Sequence, residues 1–133
     1  MAMNDLIARL EAATGPDREL DAEIYRTAVG LGMYETIVHR FGDFFVRNYP
    51  GPPEPEYRRL PRYTASLDAA MTLVPADAYW IFGKGRTRPD EPLFGFQILD
   101  PATNDVIAEA EHENREICVC IAALRARASD GGR

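Results

Sequence analysis

Half of the prolines of this chain lie in one short segment, and that segment restricts the fold more than any other feature. Five of the ten prolines fall between residues 50 and 61. Proline fixes φ and lacks a backbone N–H, so it is excluded from helix interiors and from central strands. The sequence therefore predicts an extended surface loop over 50–61, inserted between the elements of a single domain that spans residues 1–133.

Four helices are predicted on the two sides of this loop, from capping residues and from apolar residues at helical spacing. They are predicted from Asn4 to Gly15, from Asp17 to Gly30, from Ser66 to Pro75 and from about Glu113 to Ala128. The last helix carries one apolar face, formed by Ile117, Cys120, Ile121, Leu124 and Ala128. Cys118 and Cys120 are two apart on this helix and point to different sides, so we expect two buried free thiols.

The remaining apolar segments are rich in β-branched and aromatic residues, which favours strands. Strands are predicted over 78–82, 93–99 and 104–111, with a loop over 83–92, and one or two short strands are predicted within 33–49. This order of elements indicates the α+β class, with helices packed on an antiparallel sheet.

Four stretches of the chain resemble a known family. They are DLIARLEAA (5–13), GPDRELDAEI (15–24), YTASLDAAMTLVP (63–75) and CIAALRARA (120–128). In these stretches the chain is similar to the phage ABA sandwich family of small proteins encoded by tailed phages and prophages, whereas residues 31–61 follow that family only loosely. The resemblance implies an antiparallel β-sheet sandwiched by α-helices, and it implies no catalytic motif.

The charge of the chain excludes some classes of partner. The net charge is −6, from 15 basic and 21 acidic residues. Proteins that bind extended nucleic acid gain affinity by neutralising phosphates with basic residues, so an acidic chain is not typical of them. No apolar run approaches the roughly 18 residues of a membrane span. We therefore expect a soluble protein of the host bacterial cytoplasm, with no extended nucleic acid and no membrane as partner.

Enzyme signatures are few in this sequence. It has two histidines, no nucleophile elbow and no HExxH motif. His112 and Glu116 are four apart and could share a helix face as metal ligands, but the same residues are explained by a polar first turn. We therefore predict no catalytic residue, no metal and no cofactor.

The candidate site consists of basic and aromatic residues in two predicted loops. The predicted phosphate ligands are Arg58, Arg59, Arg62, Lys84, Arg86 and Arg88, and the predicted base-stacking residues are Tyr63 and Trp80. Guanidinium groups bind phosphate through two parallel hydrogen bonds, and aromatic rings stack on bases. The alternative is that these are ordinary solvated loops whose arginines point away from each other.

The function predicted from these features is that of a non-catalytic, phage-encoded binding protein. It would act against host defence by sequestering a nucleotide-derived immune signal, of the cyclic nucleotide or cyclic ADP-ribose type, as a homo-oligomer. The alternative is an accessory or inhibitor protein that binds another protein through a sheet edge or through the aromatic segment 41–49. A nucleotide hydrolase is the third possibility.

Overall fold

The computed structural model describes residues 2–88 and 91–130, apart from the side chains of residues 84–92 and 130. Within these residues the chain forms four α-helices and six strands, so the predicted α+β class is confirmed. The helices are α1 (Met3–Ala12), α2 (Arg18–Ile24), α3 (Leu67–Met71) and α4 (Arg115–Asp130). The strands are β1 (Glu35–Arg40), β2 (Asp43–Asn48), β3 (Glu56–Arg59), β4 (Tyr79–Arg88), β5 (Glu91–Leu99) and β6 (Val106–His112).

Two of the predicted N-caps are confirmed. The Asp17 carboxylate accepts hydrogen bonds from the N–H groups of Glu19 and Leu20 at the start of α2. The Ser66 hydroxyl accepts from the N–H of Ala69 at the start of α3. These bonds satisfy donors that the first helical turn leaves without partners, which is why short polar side chains are found at such positions.

Two helix starts differ from the prediction. The first helix begins at Met3 rather than after Asn4, because the extended Ala2 already accepts through its carbonyl oxygen from the N–H of Leu6. The last helix begins at Arg115, where the Asn114 side chain accepts from the N–H of Ile117. Both caps depend on local hydrogen bonds, which place a helix start within one or two residues of its sequence signal.

The end of α2 follows the prediction. The helix continues into one π-helical turn over Tyr25–Val29, which ends at Gly30 with φ of +86°. Glycine adopts this left-handed conformation without a steric penalty, so it stops the helix and turns the chain toward β1.

The strands form two antiparallel sheets rather than the single sheet that was expected. The first sheet has the order β1-β2-β3 and the second has the order β4-β5-β6. The predicted meander over the second sheet is confirmed, with its strands longer than predicted. The 83–92 segment was predicted as a loop, but the ladder between β4 and β5 runs through most of it to the pair Arg88–Glu91. Continued pairing across the strands outweighs the weak strand preference of the glycines in this segment.

The prediction of a loop over 50–61 is wrong for one part of that segment. Residues 56–59 form β3, which pairs with β2 from Asn48–Glu56 to Phe45–Arg59. These four residues lie between Pro55 and Pro61 and include no proline, so their N–H groups are free to enter a ladder. The strand lies at an edge of the sheet, the position to which the flanking prolines restrict it.

The core is built around α4. This helix packs on β5 and β6, and α1 and α3 pack on it in turn, while α2 packs on α1 and β2. The predicted face is buried at Ile117, Cys120, Ile121 and Leu124, but Ala128 is exposed because it lies in the last turn of the helix. Both cysteines are free and buried, as predicted. Burial raises the pKa of Cys118 to about 11.

Candidate functional site

Tyr63, one of the two residues predicted to stack on a base, lies in the core. Only 2% of its surface is exposed, and its backbone carbonyl accepts a hydrogen bond from the Cys120 thiol. Burial also raises the pKa of its phenol to about 12. A base cannot reach this ring without displacing core residues, so the stacking role predicted for Tyr63 is wrong.

Arg58 and Arg62, two of the predicted phosphate ligands, already bind carboxylates of the chain. The Arg58 guanidinium is 2.8 Å from a Glu35 carboxylate oxygen, and it also donates to the Tyr25 hydroxyl. Hydrogen bonds from the Gly32 N–H and then from Arg58 lower the pKa of Glu35, although burial opposes this shift. Arg62 is 2.9 Å from a carboxylate oxygen of Asp43. Both guanidinium groups are therefore already engaged by carboxylates of the first sheet.

Four more of the predicted residues belong to the second sheet. Strand β4 includes Lys84, Arg86 and Arg88, but their side chains are outside the part of the chain that the structure describes. Trp80 is half exposed, and its ring stacks on Phe96 with 5.7 Å between centroids. The convergence of the two basic segments on one pocket thus stays a prediction.

Arg59 differs from its neighbour Arg58 because successive residues of a strand point to opposite faces. Arg58 lies beside Val46 and Ile37 in the register of the first sheet, and Val46 is fully buried. Arg59 lies beside Phe45 and Val38, in the register position that faces away from the core. Alternation therefore places Arg59 on the outer face of the sheet.

This outer face carries a cluster that we call the cationic-aromatic face. It comprises three arginines and three aromatic residues from the three strands and the β1–β2 turn: Arg40, Phe41, Phe45, Arg47, Tyr57 and Arg59. The Arg40 guanidinium lies 4.7 Å from the centroid of the Tyr57 ring and 5.2 Å from that of Phe41. An arginine at these distances is attracted by the negative face of each ring. Arg40, Phe41, Phe45 and Tyr57 line a hollow of about 170 Å³.

The turn between β1 and β2 places Phe41 on this face at a steric cost. Phe41 and Gly42 both have positive φ, of 54° and 77°. Two-residue turns between antiparallel strands require such angles, and asparagine, aspartate or glycine usually occupies both positions. Phenylalanine is unusual there, and its ring is 90% exposed. A bulky side chain held exposed in an unfavourable backbone conformation points to a role in binding.

The arginines of the outer face have no acidic partners. Among the described residues, Arg40, Arg47 and Arg59 form no ion pair. Asp43, at the end of the hairpin, binds Arg18 and Arg62 instead, and its pKa is lowered, mainly by the hydrogen bond from the Phe44 N–H. The Nε atom of Arg47 is buried and has no hydrogen-bond partner. Three positive charges of an acidic chain are therefore available on one face.

Five residues of this face were not among the predicted ligands: Arg40, Phe41, Phe45, Arg47 and Tyr57. The segment 33–49 was predicted to hold strands, but no register was assigned to it. The signal that could have located the face is Gly42 between two runs of strand-forming residues, which predicts a hairpin and therefore pairs 35–40 with 43–48.

His112 and Glu116, which could have shared a helix face as metal ligands, lie on two different elements. His112 ends β6, and its Nδ1 atom accepts a hydrogen bond from the Asn114 N–H. Glu116 lies in the first turn of α4, where Arg115 donates to it. In the described part of the chain, no three histidine, cysteine or acidic residues are grouped as a metal ion would require.

Comparisons with known protein families, with curated proteins and with solved structures found no match for this chain. Within the described residues, none of the helices is both long enough and apolar enough to cross a membrane. The candidate site is therefore argued from the positions and contacts of its residues alone.

Proposed function

We propose that this chain is a non-catalytic binding protein that holds a nucleotide-type ligand on the cationic-aromatic face. One observation carries the proposal. Three arginines that pair with no carboxylate of the described residues lie among aromatic rings on one face of a chain whose net charge is −6. Positive charge beside stacking surfaces is the combination that proteins use for phosphates and bases.

The arrangement suggests how such a ligand would be held. Arg47 and Arg59 would donate paired hydrogen bonds to phosphate oxygens, since the guanidinium fork matches phosphate geometry. Tyr57 and Phe41 would stack on a base, and Arg40 lies between their rings.

The size of the face favours a small ligand over a long strand of nucleic acid. Neighbouring strands are about 4.8 Å apart, so three strands offer a width of about 10 Å between the outermost backbones. Three arginines can neutralise two or three phosphates, which matches a mononucleotide or a dinucleotide. Extended nucleic acid would need a longer basic surface, which the acidic chain does not favour.

The cellular role that we propose is sequestration of a nucleotide-derived immune signal by a phage-encoded protein. It is supported by the resemblance to the phage ABA sandwich family and by the sequence, in which no catalytic motif accompanies the candidate ligands. Sequestration requires binding without turnover, and this face offers guanidinium groups and rings but no paired acid and base.

The proposal is tested by calorimetric titration with cyclic di-AMP, cyclic ADP-ribose and ATP as probes. We expect at least one of them to bind, more weakly as salt rises, and to be recovered unchanged after heat denaturation of the protein. Arg59→Ala should weaken binding about 10- to 150-fold, the effect of losing one charge-assisted contact.

Arg58→Ala is the matched control, because Arg58 adjoins Arg59 on the same strand and lies on the opposite face. It should leave affinity unchanged while lowering stability, since it removes the contacts to Glu35 and Tyr25. Equal effects of the two substitutions on affinity, or no binding of any probe, would refute the proposal. Recovery of a hydrolysed product would instead indicate the nucleotide hydrolase.

Protein binding is the second candidate function, and the exposure of Phe41 favours it. Arginine and aromatic residues are enriched at the energetic centres of protein interfaces. A protein adaptor would show no thermal shift with any of the three nucleotides, and Phe41→Ala would abolish capture of its partner. The nucleotide remains the preferred ligand, because an apolar contact through Phe41 alone does not account for three arginines on the same face.

A further inference from the structure

The second sheet has one face that no element of the described chain covers. Helix α4 packs on the face that holds Phe96, Ile98, Ala108 and Ala110, all of them buried. By register, the residues of the opposite face are Tyr79, Ile81, Gly83, Gly95, Gln97, Glu109 and Glu111. Tyr79 and Ile81 are more than half exposed on it. An uncovered sheet face with large apolar residues is typical of an interaction surface.

A hollow of about 420 Å³ lies in this face, and two glycines form its floor. Gly83 and Gly95 are paired across β4 and β5, and a Cβ atom added to either would meet no atom within 4 Å. Paired glycines leave bare backbone where side chains would otherwise stand, so another molecule can approach closely. A cavity of about 150 Å³ already holds benzene. The hollow is therefore large enough for an aromatic side chain.

The rim of the hollow is acidic. Glu109 and Glu111 lie on it, and Gln97 donates a hydrogen bond to the Glu109 carboxylate. Within the described residues, Glu111 forms no ion pair. Arg125 also lines the hollow, but its guanidinium binds the Glu11 carboxylate and the carbonyl of Glu109. The uncompensated charge at the rim is thus negative.

We infer that the β1–β2 hairpin of a second copy of this chain docks in this hollow. Phe41 at the hairpin tip is a 90% exposed aromatic residue, and Arg40 beside it forms no ion pair within the described part of the chain. The hollow offers open space over Ile81 and the two glycines, with two carboxylates on its rim. Insertion of Phe41 would bury its ring and bring Arg40 to Glu109 or Glu111, so that shape and charge are both complementary.

The contact joins two different surfaces, because each copy inserts its hairpin into the hollow of a neighbour. A two-fold contact between two hollows would instead bring Glu109 and Glu111 of both copies together, and like charges across an interface are unfavourable. Two copies then either exchange hairpins in a closed pair, or each copy docks into the next and the association extends into chains or a ring. This inference does not depend on the proposed nucleotide, although a ligand on the cationic-aromatic face would compete for Phe41 and Arg40.

Sedimentation velocity without any nucleotide tests the inference. The apparent mass of the wild-type chain should rise above the monomer value between about 10 and 500 µM, a range typical of small interfaces. Phe41→Asp removes the hairpin contact and Gly95→Leu fills the hollow, so each variant alone should stay monomeric. Val106→Asp, at an exposed apolar position of the same sheet outside the hollow, is the control and should associate like the wild type.

Mixing the two variants gives the sharpest result. The Phe41→Asp chain retains a working hollow and the Gly95→Leu chain retains a working hairpin, so an equimolar mixture should form a heterodimer that grows no further. A two-fold contact between two hollows or between two hairpins would give no such recovery, and neither would unfolding of a variant, which circular dichroism detects separately. If Gly95→Leu fails to fold, Glu111→Arg replaces it and should act in the same way.

Three results would overturn the inference: a wild-type chain that is monomeric throughout this range, association that survives either substitution, and a mixture that stays monomeric. None of them bears on nucleotide binding, which the Arg59 and Arg58 variants test with the monomer. The two proposals therefore fail independently.

Discussion

Replacement of Asp21 by alanine tests the network that attaches α2 to the segment before α3. Asp21 is fully buried, and one of its carboxylate oxygens accepts 2.8 Å hydrogen bonds from both the N–H and the hydroxyl of Thr64. Its other oxygen is 2.8 Å from the Arg18 guanidinium. Arg18 in turn donates to Asp43 and to the carbonyl of Leu60. The carboxylate thus connects elements that are distant in sequence.

The expected cost follows from the groups that lose their partner. Asp21→Ala leaves the buried N–H of Thr64 unsatisfied, which costs about 1–3 kcal/mol, and removes one charge-assisted bond of Arg18, worth about 1.5–3 kcal/mol. Arg18 retains Asp43, so its charge is not left without a partner. The sum predicts that the free energy of unfolding falls by about 2.5–6 kcal/mol. This range includes the roughly 3–5 kcal/mol typical of a buried pair that is broken from one side.

Urea unfolding at pH 7, followed by circular dichroism, measures this change through the shift of the midpoint at constant slope. Thr64→Val is the matched comparison, because it keeps the shape of the side chain and the backbone bond to Asp21 but removes the hydroxyl. It should cost less than Asp21→Ala, about 1–2 kcal/mol. A loss below about 1 kcal/mol for Asp21→Ala, the usual size of a surface effect, would refute the reasoning.

Three further predictions concern the core. Leu124→Ala should lower the free energy of unfolding by about 2–4 kcal/mol, because Leu124 is fully buried on α4; a loss below about 0.5 kcal/mol in urea would show that this face is not packed. Burial raises the pKa of Tyr63 to about 12, whereas the pKa of a tyrosine in the unfolded chain is about 10. The stabilisation from burying the neutral phenol is therefore complete below about pH 10 and is lost as the pH rises through 12. Tyr63→Phe should therefore lose less stability than the wild type between these pH values, and equal losses in alkaline urea titrations would contradict the shift. Cys118 and Cys120 should resist a thiol reagent at pH 8 until the chain unfolds, since burial raises the pKa of both thiols; rapid labelling of the native protein would disprove their burial.

Helix starts could be predicted from the sequence because capping is local. Asp17 and Ser66 bond to N–H groups two or three residues further along the chain, so the residues that decide the structure are adjacent in the sequence. The β4–β6 meander was predicted for a similar reason, since its strands follow each other with short connections. The α+β class follows from these elements together.

The division of the strands into two sheets depended on contacts between distant residues. Residues 56–59 have an ambiguous pattern next to prolines, and they become a strand only because β2 offers them a free edge. The burial of Tyr63 also depends on residues that are distant in the sequence, because its ring is buried only when α4 packs beside it. Neither feature is encoded within a window of a few residues.

The sequence by itself determined which residue types are available for binding: arginines and aromatic rings in an acidic chain with few catalytic groups. Only the tertiary structure decided which of them face outward. Arg58 and Arg59 are adjacent and chemically identical, yet pairing with β2 directs Arg58 to Glu35 and Arg59 to the outer face. A strand alternates its side chains with a period of two, so a register shift of one residue would exchange their roles. That register is set by long-range pairing and burial, which no local pattern specifies.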